Sequence, residues 1–188
     1  MVTSGRVITA LWLCFIVYWI VSARGVKRSV GHEDRRSGGI VRIIALGAVF
    51  AIAGNRWFML PAVQLSATAA RWLHVAGVVL CALGIGVAIW ARSQLGRNWG
   101  IPTSVKEDPE LITSGPYRLV RHPIYAGVLL AMIGSALVVG RPWVVLLGVF
   151  VVYFVYTARL EERTMARQFP DAYSRYRART KMVVPFVL

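Results

Sequence analysis

The chain has 188 residues, 57% of them hydrophobic, with a mean hydropathy of +0.59. This composition excludes an ordinary soluble domain and is typical of a chain that folds between lipid tails. The 22 Lys and Arg outnumber the 8 Asp and Glu, so the net charge is +14. Such a charge can indicate nucleic-acid binding. Here no soluble basic domain carries it, so we expect loops that face membrane lipids and no nucleic-acid partner.

Apolar runs follow one another along the chain at residues 7–21, 40–60, 72–91, 124–139 and 143–158. The first resembles a signal peptide because Arg6 precedes it, but we interpret it as a retained membrane helix. The second is interrupted by Asn55 and Arg56. The pattern predicts an all-α polytopic membrane protein with about five transmembrane helices.

The orientation follows from the positions of the basic residues. In a five-span arrangement, 18 of the 22 Lys and Arg fall on one face, in segments 22–42, 92–121 and 159–181. Positive residues accumulate in cytoplasmic loops. We therefore expect the N-terminus outside, the C-terminus in the cytoplasm, and residence in a bacterial inner membrane.

The last two apolar runs are joined by Gly140-Arg141-Pro142, which predicts a tight helical hairpin. A hairpin returns the chain to the face that it left. The stretch "GPYRLVRHPIY" at 115–125 should therefore lie beside "RLEER" at 159–163. This places a basic cluster opposite an acidic one; the residues concerned are Arg118, Arg121, His122, Glu161 and Glu162.

The local sequence of the basic cluster favours a ligand site at the start of a helix. Pro123 makes the backbone of His122 extended and can begin the next helix, where free N–H groups favour anions. Tyr125 and Gly127 occupy its first turns, and because Gly127 has no side chain we expect space for a ligand beside it. A pocket of this kind suits a zwitterionic ligand with a ring system. The alternative is that the arginines only reach lipid headgroups and the glutamates balance nearby charge.

These residues resemble the isoprenylcysteine carboxyl methyltransferase family. The shared pattern is R-H-P-x-Y-x-G, an apolar stretch, and then E-E, and the ending "AYSRYRARTKMVVPF" is also similar. The resemblance covers residues 92–188, so we divide the chain into a three-span membrane region, 1–91, and a catalytic region, 92–188.

The resemblance implies an integral membrane methyltransferase that uses S-adenosylmethionine, with a cytoplasmic cofactor pocket between the loop before the fourth helix and the C-terminal tail. The residues carried to that pocket by the family pattern or by their charge are Arg118, Arg121, His122, Pro123, Tyr125, Gly127, Glu161 and Glu162. Arg159 and Arg163 lie beside the Glu pair, and as catalytic candidates they are predicted to hold an acceptor carboxylate. Cys14 and Cys81 have no metal-ligand spacing, so no metal is expected.

The favoured acceptor is a lipophilic or prenylated molecule, in particular the carboxylate of an isoprenylcysteine-like compound. Trp90, Trp99 and the third apolar run are expected to form an apolar entry for its hydrocarbon tail. Three other interpretations remain open: a phospholipid N-methyltransferase, an NADPH-dependent sterol-reductase-like enzyme, and a membrane scaffold without activity. The almost complete absence of ionisable residues within the runs argues against transport. The sequence leaves the oligomeric state open.

Overall fold

The computed structural model describes residues 2–24, 29–32, 66–99, 104–106 and 109–184. These residues form predominantly helices, which confirms the predicted all-α class; the five helices described are α1 (Val2–Ser22), α2 (Ala67–Leu95), α3 (Pro123–Val139), α4 (Arg141–Gln168) and α5 (Pro170–Arg179). Two short strands, β1 (Ser29–His32) and β2 (Ser104–Lys106), pair antiparallel. The predicted second membrane run, 40–60, lies outside the described residues.

Three helical segments are long and apolar enough to cross a membrane: Thr3–Ser22, Ala67–Asn98 and Arg141–Gln168. They correspond to α1, to α2 with the short helical turn that follows it, and to α4. The helix α3 has 17 residues, or about 26 Å of length, which is at the short end for a bilayer core. Large apolar side chains such as Val17, Trp72 and Val152 lie exposed on the outer faces of the helices. The chain is therefore built to expose its apolar surface to lipid.

Close contact between α2 and α3 forms the centre of the bundle. A Cβ added at Gly127 would lie 2.6 Å from the carbonyl oxygen of Gly84, and one added at Gly77 would lie 2.7 Å from that of Gly134. Only glycine allows the two backbones to approach so closely. The helix α1 packs across this pair, with Ile8 buried in a cluster that includes Cys81 and Ile85.

The hairpin between α3 and α4 has the predicted turn. Gly140 adopts a φ of 91°, a conformation that favours glycine, and Pro142 occupies the first turn of α4. The helix α4 runs to Gln168, well beyond the last apolar run, so the Glu pair lies on a continuous helix rather than in a loop.

The tail folds back onto the start of α3. Pro170 begins the separate helix α5, as expected of a residue that interrupts helices. After α5 the chain runs beside residues 120–122, where Arg121 N donates to Lys181 O over 2.8 Å and His122 N donates to Met182 O over 2.9 Å. The backbone of the R-H-P motif is thereby held on the tail.

Candidate functional site

A cavity of about 360 Å³ lies at the end of the bundle opposite Gly140. This volume lies within the range of small-molecule sites. One side is polar, and its lining residues include Arg121, His122, Tyr125, Glu161, Tyr173 and Tyr176. The other side is mainly apolar, and its lining residues include Trp19, Leu95, Trp99, Leu111, Ile112 and Met165.

Glu161 is held on the polar side by two donors from the start of α3. The hydroxyl of Tyr125 donates to Glu161 Oε1 over 2.6 Å, and His122 Nδ1 lies 3.2 Å from Glu161 Oε2. The rings of His122, Tyr125 and Phe154 stack nearly parallel. Both carboxylate oxygens thus have a partner, and the side chain has a fixed orientation on the cavity wall.

Glu162 lies one residue further and is buried, with 6% of its side chain exposed. It accepts from Arg121 Nε over 2.6 Å, while Arg121 Nη1 donates to the carbonyl oxygen of Thr180. Arg177 Nε lies 3.7 Å from the second oxygen of Glu162. The predicted contact between the basic and acidic clusters is present, and it also ties α4 to the tail.

His122 is buried between the two carboxylates. Burial lowers the pKa of His122, but the adjacent carboxylates of Glu161 and Glu162 outweigh it and leave the pKa above its ordinary value. His122 Nε2 lies 3.6 Å from Glu162 Oε1, and it is a buried atom without a hydrogen-bond partner in the described part of the chain. A protonated imidazole therefore has one N–H available to a ligand.

Three tyrosines complete the polar side. The hydroxyl of Tyr176 donates to the carbonyl oxygen of Tyr117 over 2.7 Å. Burial raises the pKa of Tyr176 to about 12, and it raises the pKa values of Tyr117 and Tyr173 further still. These phenols stay protonated at neutral pH and act as hydrogen-bond donors rather than as bases.

Several predicted site residues lie away from the cavity. Arg118 is exposed on the short helical turn before the motif, and Arg159 and Arg163 are exposed on α4. Helical geometry explains the last two, because Glu161 lies about 200° around the helix from Arg159. The geometry therefore gives no support for Arg159 and Arg163 as acceptor ligands or for Arg118 as a cofactor ligand.

Pro123 and Gly127 contribute to packing rather than to the cavity wall. Pro123 is buried at the first position of α3. Gly127 faces the backbone of α2 at Gly84 and Ala88, so the space beside it is filled by a helix and not by a ligand. The predicted opening for a ligand at Gly127 is therefore wrong.

The contribution of α1 to the cavity was not predicted, whereas Trp99, just after α2, was expected at an apolar entry together with Trp90, which does not line the cavity. Trp19 and Trp99 line the cavity, and the buried Arg92 lies behind them. Asn98 and Glu110 also line the cavity, with Asn98 Nδ2 3.4 Å from Glu110 Oε2. A tryptophan in an apolar run looks like any membrane residue, so hydropathy contained no signal for Trp19.

Comparison with known proteins identifies the family. The pattern of the phospholipid methyltransferase family matches residues 72–172, more than half of the chain and most of the cavity. The cobalt-zinc-cadmium resistance protein CzcN of Cupriavidus metallidurans is 32% identical over 117 residues, which is 61% of this chain and 51% of that protein.

Two relatives have names that agree with the predicted resemblance. The protein-S-isoprenylcysteine O-methyltransferase B of Arabidopsis thaliana is 28% identical over 120 residues, 62% of this chain and 61% of that protein. The protein-S-isoprenylcysteine O-methyltransferase of Saccharomyces cerevisiae is 27% identical over 123 residues, 63% of this chain and 52% of that protein.

The matched regions span about half to three-fifths of the length of these curated relatives. Residues 72–172 contain the R-H-P motif, the hairpin and the Glu pair, which together form the polar side of the cavity. The chain belongs to the phospholipid methyltransferase family.

Proposed function

We propose that this protein is an S-adenosylmethionine-dependent methyltransferase that acts at the membrane surface on a lipophilic acceptor. The observation that carries the proposal is the fixed carboxylate of Glu161 on the wall of a cavity that lies largely within the matched family segment. The names of the relatives, which include isoprenylcysteine O-methyltransferases, support the reaction class.

The residues present fit S-adenosylmethionine. This molecule combines an ammonium group, a carboxylate and a sulfonium with an adenine ring, so it needs both signs of charge in a partly apolar cavity. The cavity offers the carboxylate of Glu161 for a cation. It also has His122 Nε2, a buried atom without a partner in the described residues, for an anion.

When bound, S-adenosylmethionine supplies a methyl group on a positively charged sulfur. The protein has three tasks around it. Glu161 balances the positive charge of the bound molecule. Tyr125 and His122 hold the Glu161 carboxylate in position. His122 binds an anionic group through its remaining N–H. The apolar side of the cavity excludes water, which strengthens these interactions and orients the reactants.

Glu162 acts through its neighbours. Because it lies behind the cavity wall and is bound to Arg121, we assign it a positioning role. It keeps the guanidinium of Arg121 and the imidazole of His122 in place and supports the positive charge on both. An unpaired buried cation would be costly without it.

The acceptor we favour is the carboxylate of a prenylated cysteine or a similar lipophilic acid. A carboxylate is ionised at neutral pH, so its methylation needs no general base. Arg121 is the cation that reaches the cavity wall near Glu161. The apolar side, with Trp19, Leu95 and Trp99, suits a hydrocarbon chain.

A phospholipid amine is the second candidate. The matched family carries phospholipid methylation in its description, and the carboxylates of Glu110 and Glu161 both line the cavity. Carboxylates on the wall favour an acceptor that carries positive charge. The two candidates are separated by offering a radiolabelled methyl donor with S-farnesylcysteine in one assay and with phosphatidylethanolamine vesicles in another.

The location we propose is a bacterial inner membrane with the cavity on the cytoplasmic side, because that side carries most of the basic residues. Labelling with a membrane-impermeant maleimide tests this. In intact cells, a cysteine at Ser4 should react and one at Ser174 should not; the reverse pattern contradicts the orientation.

Binding of S-adenosylmethionine to the purified protein in detergent tests the central assignment by calorimetry. We expect Glu161→Gln and His122→Ala to weaken binding by about tenfold or more, because each removes a hydrogen bond involving charge. The matched control is Asp171→Asn, which removes an exposed carboxylate on α5. Unchanged affinity in both site variants would place the donor elsewhere.

A further inference from the structure

Two tryptophans from opposite ends of the chain's first hundred residues meet at the cavity. The rings of Trp19, near the end of α1, and Trp99, just after α2, lie edge to face with centroids 5.6 Å apart and an interplanar angle of 89°. Both line the cavity. We refer to this pair as the tryptophan wall. Such rings present a large apolar surface that loses little conformational freedom on binding.

Arg92 holds the tryptophan wall together. Its side chain is 3% exposed, and its guanidinium carbon lies 4.7 Å from the centre of the Trp99 ring. Arg92 Nη1 donates to the carbonyl oxygen of Gly96 over 2.8 Å, and Nη2 donates to that of Ser22. One side chain therefore joins the C-terminal end of α1, the turn after α2 and the face of Trp99.

The acceptors that Arg92 uses are those that a helix leaves unpaired. The carbonyl groups in the last turn of α1 lack partners within the helix and carry partial negative charge. Both Nη groups of this buried guanidinium are thus paired without a carboxylate, while Nε has no partner among the described residues. Because these donors are directed at backbone carbonyls, Arg92 has a structural reason to be buried that does not require it to contact a ligand.

The tryptophan wall is composed differently from the polar side of the cavity. Its neighbours along the cavity are mainly apolar, among them Leu95 and Leu111, beside the polar pair Asn98 and Glu110. Trp19 also lies outside the matched family segment, 72–172. The helix α1 therefore contributes to the cavity a surface that the family match does not include.

We propose that the tryptophan wall binds the apolar chain of the methyl acceptor and that Arg92 positions it, so that α1 selects the acceptor. This rests on the proposed methyltransferase function. Glu161 and His122, on the polar side, remain with the methyl donor. The division of labour predicts that changes in the wall affect the acceptor and leave binding of the donor unaltered.

Steady-state methylation of S-farnesylcysteine by Trp19→Ala tests the proposal. We expect the KM for this acceptor to rise about tenfold or more, as for loss of a large apolar contact, while the KM for S-adenosylmethionine stays within about twofold. The matched control is Trp90→Ala, because Trp90 is 50% exposed on α2 and does not line the cavity. Equal acceptor KM values in the two variants would overturn the proposal.

Arg92 requires a readout that separates positioning from general stability. We expect Arg92→Met to raise the acceptor KM as Trp19→Ala does, and Arg92→Lys to restore part of it, because lysine keeps the charge and can reach one carbonyl. Variants with the same thermal midpoint but different acceptor KM values support positioning. Identical KM values in Arg92→Lys and Arg92→Met contradict it.

A binding measurement without turnover tests the tryptophan wall independently of the proposed methyltransferase activity. The probe is a cysteine thioether with a brominated alkyl chain, whose bromine atoms quench tryptophan fluorescence by contact. We expect saturable quenching in the wild type and in Trp90→Ala that is largely lost in Trp19→Ala. If S-adenosylmethionine fails to bind the wild type, the proposed function fails while this result stands. If Trp19→Ala weakens the donor alone, the wall holds adenine and the inference is wrong.

Discussion

The two sides of the cavity are stabilised in different ways. On the polar side, Glu161 and Glu162 share four partners from α3, the tail and the motif loop. On the apolar side, Arg92 and the edge-to-face contact between Trp19 and Trp99 link the end of α2 to the end of α1. The polar side is thus held by several paired charges, whereas the wall rests on one cation and one ring contact.

This difference suits the two reactants of a methyl transfer. The methyl donor is always the same, and a sulfonium with a charged amino acid end is best held by fixed, paired groups. Acceptors differ mainly in their apolar parts, which bind through buried apolar area rather than through directional hydrogen bonds. A cavity with a rigid polar side and a separately anchored apolar side can therefore keep one chemistry and change its acceptor.

The largest expected effect comes from breaking the polar side at its buried anion. Glu162→Gln leaves Arg121 without the carboxylate that compensates its charge and leaves His122 with Glu161 alone. Loss of one partner in a buried ion pair costs about 3–5 kcal/mol. Calorimetry should show donor affinity reduced by about a hundredfold or more, with a lower thermal midpoint. Donor affinity within about twofold of the wild type would show that the network is dispensable.

A change in the packing of α2 against α3 should weaken binding at both sides of the cavity, but by less than Glu162→Gln does. In Gly127→Ala the new methyl group would meet the Gly84 carbonyl oxygen at 2.6 Å, so α2 and α3 must separate. Overpacking of this kind costs about 1–3 kcal/mol. Thermal unfolding should show the loss, and donor and acceptor binding should both weaken.

The matched control for that change is Gly148→Ala on α4, where the added methyl group meets nothing within 4 Å. We expect Gly148→Ala to be neutral or slightly stabilising, because alanine is the better helix former. Equal destabilisation in the two variants would mean that close approach of the helices is not the cause.

The smallest expected effect is a pH dependence confined to the polar side. The pKa of His122 is raised in the folded protein, so the stabilisation from its charge is complete below the ordinary pKa of about 6.5 and is lost as pH rises through the raised value. The affinity for S-adenosylmethionine should fall as pH rises through this pKa. The decrease should be about tenfold at most, because one hydrogen bond to a charged group is lost. A His122→Asn variant should show no such step, and a step that persists there would assign the titration to another group.

Much of the polar side was predictable from the sequence. The short turn at Gly140 and two apolar runs of similar length, 124–139 and 143–158, require residues 115–125 and 159–163 to meet, and Arg121 does bind Glu162. Helical periodicity also distinguishes Glu161 from Arg159 and Arg163, but only once α4 is known to continue past residue 158. The end of the apolar run did not reveal this continuation, because hydropathy records the end of the membrane and not the end of a helix.

The apolar side was only partly predictable, because the sequence indicated Trp99 at an apolar entry but gave no indication of Trp19. Trp19 and Trp99 are 80 residues apart, and their contact depends on how α1 packs across α2, which one apolar pattern does not specify. Arg92 counted only as one of many loop cations, although it is buried. Gly127 was assigned to a ligand because an absent side chain leaves space, and the sequence does not reveal that a helix fills it.

The most direct test of the account is a structure of the protein in a lipid nanodisc with S-adenosylhomocysteine bound. We expect the amino acid end of this product against Glu161 and His122, with the tryptophan wall left open for an apolar chain. A product bound outside the cavity, or with its amino acid end away from Glu161, would contradict the assignment of the polar side to the methyl donor.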